Sequence, residues 1–312
     1  MQSHRQPLPI RSLLRPSNWH LLFVVGLGKL IAFIPVPALR HLAGPVGFLL
    51  FRVRRVRHTT EANLRACFPD LSEEEHTALA KRTTRELAQS VLECLKFWFG
   101  FRSGHRHFQI VDFKGTEHLD AALRTNRGIL VLCAHYGSPD ANGILLSQLD
   151  RGERPYYGIY RQPSDATVDQ IVRWGRTCAL DEMIPSHNVR RIISSLRSGA
   201  LLWFAPDLEV TGPGSVFASF FGVPASSTNS VARFAKSADA IVLPTRHIRN
   251  DATGRYEFEI LPPLTDFPSG NPEVDAPRIT GVIEDIVRPD PARYWWCIKR
   301  FRARPEGEAP IY

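Results

Sequence analysis

The 312 residues carry 39 Lys and Arg against 31 Asp and Glu, a net charge of +8, and 44% of them are hydrophobic. That hydrophobic share excludes a disordered chain and allows one large core or two modest ones, while the arginine excess suits partners bearing phosphate or carboxylate groups. The five scattered cysteines include no CxxC pair, which argues against a disulfide framework or a zinc site and for reduced thiols in the cytoplasm.

Residues 1–17 are polar and basic, with Arg5, Arg11 and Arg15. Trp19 to Phe51 is strongly apolar, but its longest sub-run, Leu21 to Ile34, contains Lys29 and falls short of the roughly 20 residues a spanning helix needs. Arg52, Arg54, Arg55 and Arg57 follow, so a single crossing would put one basic cluster on the wrong side of the positive-inside rule. The reading is a helix pair or re-entrant element embedded from one face of a membrane, with its arginines on anionic headgroups. An ordinary buried helix pair is the competing reading. Residues 1–57 are thus a membrane-associating segment and 58–312 the main domain.

Pro69 and Asp70 mark a turn, and Ser72 with Glu75 forms a capping box. Leu87, Val91, Leu95 and Phe99 then recur every fourth residue, predicting a long amphipathic helix whose stripe packs on the core. Gln109 to Lys114 reads as a strand and Glu117 to Leu123 as a short helix leading to the next strand, a βαβ unit that predicts an α/β fold with an at least partly parallel sheet.

Ile129 to Ala134 is a dense apolar run, short enough for a strand buried on both faces. His135 ends it, Gly137-Ser138-Pro139 breaks the pattern, and Ala141 to Leu149 resumes with helical spacing. On one continuous helix His135 and Asp140 would point about 140° apart, so they meet only if the histidine lies in the loop before the helix, where the break puts it. A carboxylate holding one ring nitrogen makes the other a better base for an alcohol proton, and amides at the helix start can face an oxyanion. A surface pair is the alternative reading of H-x4-D.

Pro155 to Tyr160 is a further strand, and Arg161 leaves its end, placed either to bind a substrate anion or to lie solvated at the surface. Helices are expected from about Ala166 to Thr177, carrying Arg173 and Arg176, and from Val189 to Leu196. A buried strand, Ala200 to Phe204, ends at Asp207, in the same position after its strand that His135 has after the first; a cap is the competing role. The apolar loop beyond it holds Phe217, Phe220 and Phe221, candidates for lining a hydrocarbon pocket or for plain core. Ser227 to Lys236 is a helix, Ala240 to Thr245 and Tyr256 to Leu261 are strands, and Pro272 to Val287 is a weaker helix. The tail, ARYWWCIKRFRARPEGE, joins aromatic and basic residues in a mixture that suits a membrane interface better than nucleic acid. The chain lacks GxSxG, HExxH and a phosphate-cradling GxxxxGK[ST].

Seven blocks in this order resemble the late acyltransferases of lipid A biosynthesis, within the lysophospholipid acyltransferase superfamily: NLRACFPDLSEEE, GILVLCAHYGSPD, YRQP, WGR, WFAPD, SVFASFFGVPASST and KRFRARPEGE. The resemblance implies a mixed, partly parallel sheet flanked by helices, of glycerolipid acyltransferase type. It also implies an enzyme on the cytoplasmic face of a bacterial inner membrane that moves a fatty acyl group from an acyl carrier protein thioester to a hydroxyl of a phosphorylated lipid A precursor. Carried over residue by residue, His135 is the general base and Asp140 its partner. Arg161 and Arg176 bind substrate phosphate or hold the site together, and Asp207 is the acid of the PD block. Many members have Asn-Trp-Glu where this chain has Ser138-Pro139-Asp140, which keeps the carboxylate. They have an acidic and aromatic sequence where it has Leu208 to Gly212, which bears on substrate identity. The expected chemistry needs no cofactor, no metal and no covalent enzyme intermediate. Competing readings are an acyltransferase that uses acyl-coenzyme A on another membrane glycolipid or lysophospholipid, and a non-catalytic peripheral protein that binds anionic lipid.

Overall fold

The computed structural model describes residues 6–102, 111–212 and 214–312. Among the described residues five α-helices come first: α1 (Ile10–Leu13), α2 (Trp19–Ile31), α3 (Val36–Arg52), α4 (Arg54–Cys67) and α5 (Glu73–Arg102). Strand and helix then alternate through β1 (Val111–Lys114), α6 (Thr116–Arg124), β2 (Ile129–Leu132), α7 (Pro139–Leu146), β3 (Tyr156–Tyr160), α8 (Ala166–Arg176), β4 (Glu182–Pro185), α9 (Val189–Arg197) and β5 (Leu201–Phe204). A hairpin of β6 (Ser215–Phe220) and β7 (Val223–Thr228) precedes α10 (Ser230–Ala238), β8 (Ile241–Arg249), β9 (Tyr256–Ile260) and α11 (Pro272–Val287).

Seven strands make one mixed sheet in the order β1-β9-β8-β2-β5-β3-β4. β8, β2, β5, β3 and β4 run parallel, whereas β9 pairs antiparallel with β8, and β1 follows β9. The fold class is therefore as expected, but the expected βαβ unit is corrected: β1 lies at the sheet edge, antiparallel to β2, with β8 and β9 between them. Gln109 and Ile110, expected to begin β1, lie outside the described residues. The structure adds β4, a four-residue edge strand EMIP with two buried residues, and it replaces the expected loop with the β6–β7 hairpin, whose alternation Gly222 and Pro224 interrupt.

The centre of the sheet follows from period two. Ile129, Val131 and Cys133 face a core shared with Phe97, Trp98, Ile144 and Trp203, while Leu130, Leu132 and Ala134 face one shared with Ile192, Leu196, Phe234 and Ile283. Both faces are covered by helices, which is why β2 is an unbroken apolar run.

α5 departs from its expected role. Its capping box is present, with the Ser72 N–H donating to Glu75 Oε2 at 2.8 Å and the Glu75 N–H to Ser72 Oγ at 3.3 Å. Its apolar stripe is not the best-buried face, however: Val91 is exposed, and Glu86, Ser90, Glu93 and Lys96 are buried instead. Helices α2 and α3 pack along one side of α5 while β8 and the site loop approach from another. The buried polar groups make bonds between elements, as Glu86 and Glu93 do with the Arg249 guanidinium and as Lys96 does with the Ala32 carbonyl. Burying such groups is tolerable only because each is paired.

α2 and α3 form the expected helix pair, and Val25, Ala32 and Val36 join the same core as Phe97 and Phe99. The division expected after residue 57 falls inside α4. Among the described residues no helix is long and apolar enough to cross a membrane.

The C-terminal tail is corrected. Tyr294, Trp296 and Phe301 are buried core residues, and the Arg300 guanidinium donates to the Ser226 carbonyl and Ser227 Oγ, both at 2.7 Å. Arg302 pairs with Glu209. These aromatic and basic groups are spent on packing the chain end against the hairpin.

Candidate active site

The parallel pairing of β2 with β5 assembles the site. Leu132 lies opposite Phe204, so His135 and Asp207, each three residues farther on, leave the carboxyl edge of the sheet side by side. Clefts at that edge are where ligands of open α/β sheets bind. The His135 backbone N–H donates to Asp207 Oδ2 at 2.8 Å, and ring Nδ1 meets Asp207 Oδ1 at 2.7 Å. An ionised carboxylate only accepts, so Nδ1 carries the hydrogen and Nε2 keeps its lone pair. Among the described residues Nε2 makes no hydrogen bond, and 19% of the His135 side chain is open to solvent.

Asp207 is buried, with 1% of its side chain exposed. Burial alone would raise its carboxyl, but attraction to His135 and the hydrogen bonds from that residue's ring and backbone outweigh burial and hold it below the usual carboxylate range. It stays charged at neutral pH. Such a pair can act as a base and its orienting acid.

The expected ring partner was Asp140, and here the geometry corrects the sequence reading. Asp140 opens α7 and faces the other way. Its Oδ1 accepts from Arg176 Nε at 2.8 Å and from Trp98 Nε1 at 2.9 Å, and its Oδ2 accepts from Arg176 Nη2 at 3.2 Å. The loop does release His135 from the helix, as argued from the pattern break. The neighbouring strand then supplies an acid closer than the helix can. The signal was present in the sequence, in the equal placement of His135 and Asp207 after their strands, but not the knowledge that the two strands are adjacent.

Arg176 is tied to Asp140 and lies 5.4 Å from the ring centre of Trp203, so it binds the site together. Arg161 leaves β3 at the same carboxyl edge, is exposed, and has no pair among the described residues. The three phenylalanines separate. Phe220 and Phe221 pack with each other and with Trp296, filling core instead of lining a pocket, while Phe217 is exposed. Ser138 holds the N-cap position of α7 without a side-chain capping bond, and Pro139 follows as the first helical residue.

Cys133 stands two residues before His135 and is an alternative nucleophile. It forms no disulfide, but burial pushes its thiol well above the ordinary value and the thiol donates to the Phe204 carbonyl at 3.6 Å. A thiol held protonated is a poor nucleophile. The site is suited to moving a proton at Nε2.

The family model described as bacterial lipid A biosynthesis acyltransferase matches residues 10–303. The chain belongs to that family. It is accordingly an enzyme that transfers acyl groups. It is 28% identical over 304 residues to a lipid A biosynthesis palmitoleoyltransferase of Escherichia coli, covering 97% of each chain. It is 26% identical over 303 residues to a lauroyltransferase of the same organism, covering 96% of this chain and 97% of the relative. A myristoyltransferase, also from Escherichia coli, is 24% identical over 253 residues, 80% of this chain and 76% of the relative. These relatives of one family differ in the acyl group they are named for.

Proposed function

We propose that this enzyme transfers a fatty acyl group from an acyl carrier protein thioester to a hydroxyl of a phosphorylated lipid A precursor, with His135 as general base. The observation that carries this reading is the Asp207–His135 pair, in which Nδ1 is engaged, Nε2 makes no hydrogen bond among the described residues, and 19% of the side chain is open to solvent. Nε2 takes the proton of the acceptor hydroxyl as its oxygen attacks the thioester carbonyl, forming the new C–O bond. The tetrahedral intermediate collapses by breaking the C–S bond, and the leaving thiolate takes the proton from the imidazolium. Asp207 holds the tautomer and offsets the imidazolium charge. The amides of Ser138 and Asp140, which donate to no backbone carbonyl among the described residues, are the oxyanion donors. Asp140 and Arg176 hold the start of α7 in place, and Arg161 receives an acceptor phosphate.

The reading places the enzyme on the cytoplasmic face of the inner membrane. Phe23, Leu30, Phe48 and Leu49 are exposed on α2 and α3, with Arg52, Arg54 and Arg55 exposed beside them. α2 has 13 residues. At about 1.5 Å per residue it spans about 20 Å, less than the roughly 30 Å of a hydrocarbon core, so it lies in the interface. The basic surface also suits an acidic carrier protein.

The test is incubation of purified protein with acyl carrier and coenzyme A thioesters of several lengths and with lipid A precursors, followed by mass spectrometry. The expected product is the precursor plus one acyl group, formed faster from the carrier thioester. Faster transfer from coenzyme A would overturn the donor assignment, and transfer only to other lipids would overturn the acceptor.

A further inference from the structure

The C-terminal segment 293–296 is fastened to the loop that carries His135. The Gly137 N–H donates to the Arg293 carbonyl at 2.8 Å, the Trp295 N–H donates to the His135 carbonyl at 3.0 Å, and Tyr136 bridges antiparallel to Tyr294. The Tyr294 hydroxyl donates to the Asp207 carbonyl at 3.4 Å, so one short segment touches the backbone of both members of the pair. The segment is itself fixed, since Asn63 Nδ2 donates to the Trp296 and Ile298 carbonyls at 2.7 and 2.8 Å.

Main-chain bonds would form with any residue at position 295. The tryptophan side chain adds two things. Its Nε1–H donates at 3.0 Å to the Gly137 carbonyl, which also accepts from the Ser90 hydroxyl of α5. Its ring lies 5.6 Å from the His135 ring, tilted by 54°. Behind the loop Gly137 has φ +55°, and a Cβ there would sit 2.9 Å from His247 Nε2, so the turn after His135 leaves no space for a side chain.

The Asp207 bond holds the imidazole at one edge only, and a ring pinned at one edge still rocks about that bond. We infer that Trp295 is a positioning residue for His135: its ring walls one face of the imidazole and its indole N–H locks the following turn, so that Nε2 points at one place. This rests on the reading of His135 as the base. A displacement of the reacting atoms by about 1 Å can cost on the order of a hundredfold in rate. The cost should appear in kcat, because Trp295 acts through the base and not on the binding of donor or acceptor.

The experiment is a kinetic double-mutant cycle on the full chain with an acyl carrier thioester and a lipid A precursor. Trp295→Ala is expected to lower kcat roughly 10- to 100-fold with both KM values little changed. Trp295→Phe, which keeps the wall and loses one neutral hydrogen bond, is expected to lose about fivefold. Because Phe preserves the packing, it keeps the test alive if the alanine variant fails to fold. In a His135→Ala background neither change should lower the residual rate further. Unchanged kcat in Trp295→Phe and Trp295→Ala would overturn the inference, as would an equal loss with and without His135. Wild-type turnover by His135→Ala alone would instead sink the base assignment itself, whatever Trp295 does.

Discussion

Two buried aspartates flank the loop that carries His135, and they face different kinds of partner. Asp140 is five residues away along the chain and is neutralised by a permanent cation, with Arg176 Nε at 2.8 Å, and capped by the Trp98 indole. Asp207 is 72 residues away and faces the imidazole of His135, with Nδ1 at 2.7 Å from its Oδ1. Proximity in sequence has made Asp140 a bolt between α7, α8 and α5, while strand register has set Asp207 against the imidazole. A carboxylate already satisfied by a guanidinium has little left to give a histidine, whereas Asp207 has no guanidinium on it among the described residues and takes its hydrogen bonds from His135 and from its own backbone.

The sharpest way to break that contrast is to neutralise each acid without changing its shape. Asp207→Asn presents an amide that can donate to Nδ1 and so favour the wrong tautomer, and kcat is expected to fall by about 10³- to 10⁴-fold with substrate KM nearly constant. Equal kcat values for this variant and the wild type would remove Asp207 from the mechanism. Asp140→Asn should show the opposite balance. It leaves the Arg176 charge without its partner in a largely buried place, which is expected to cost about 3 kcal/mol in denaturant unfolding, with a smaller loss of kcat. A variant as stable as wild type would show that the Asp140–Arg176 pair binds nothing together.

The turn between the two acids can be probed by pH. His247, buried behind Gly137 and near the Arg293 and Arg249 charges, is pushed down from 6.5 to about 3, by burial first and by those arginines second. Its folded value lies below its unfolded value, so its contribution to stability is complete above pH 6.5 and is lost as pH falls from there towards 3. By pH 5 the loss from this group is about 2 kcal/mol. Urea unfolding of the wild type and His247→Gln at pH 7 and pH 5 should show that much less acid sensitivity in the variant. Parallel pH profiles would contradict the burial argument.

The smallest effect concerns the outer side of the Asp140 region, where α2 lies on α5. Phe23→Ser or Leu30→Ser should weaken partition onto anionic vesicles by roughly tenfold each, about 1.4 kcal/mol, while turnover on detergent-dispersed substrate stays the same. Equal loss in both assays would mean that these side chains support the fold and not attachment to a lipid surface.

The parts of this molecule that could be read from sequence are those in which a local pattern decides the structure. The buried strand before His135, the helix after it, the capping box at Ser72 and the helix pair before residue 52 all follow from apolar runs, turn residues and caps within a few positions of one another. What could not be read depends on which strand lies beside which. The antiparallel placement of β1, the buried polar face of α5 and the pairing of His135 with Asp207 are all set by neighbours distant in the chain. The tail shows the same point: aromatic and basic residues suit a membrane surface or a core equally well until Trp296 is seen packed against Phe220 and Arg300 against Ser226.

The pairing of His135 with Asp207 is open to direct observation by nitrogen NMR of the protein labelled in its histidine rings, compared among wild type, Asp207→Asn and Asp140→Asn. The expected spectrum has the His135 ring protonated at Nδ1 in the wild type and in Asp140→Asn, with that form lost in Asp207→Asn. A ring whose tautomer responds to Asp140 and ignores Asp207 would contradict the account at its centre.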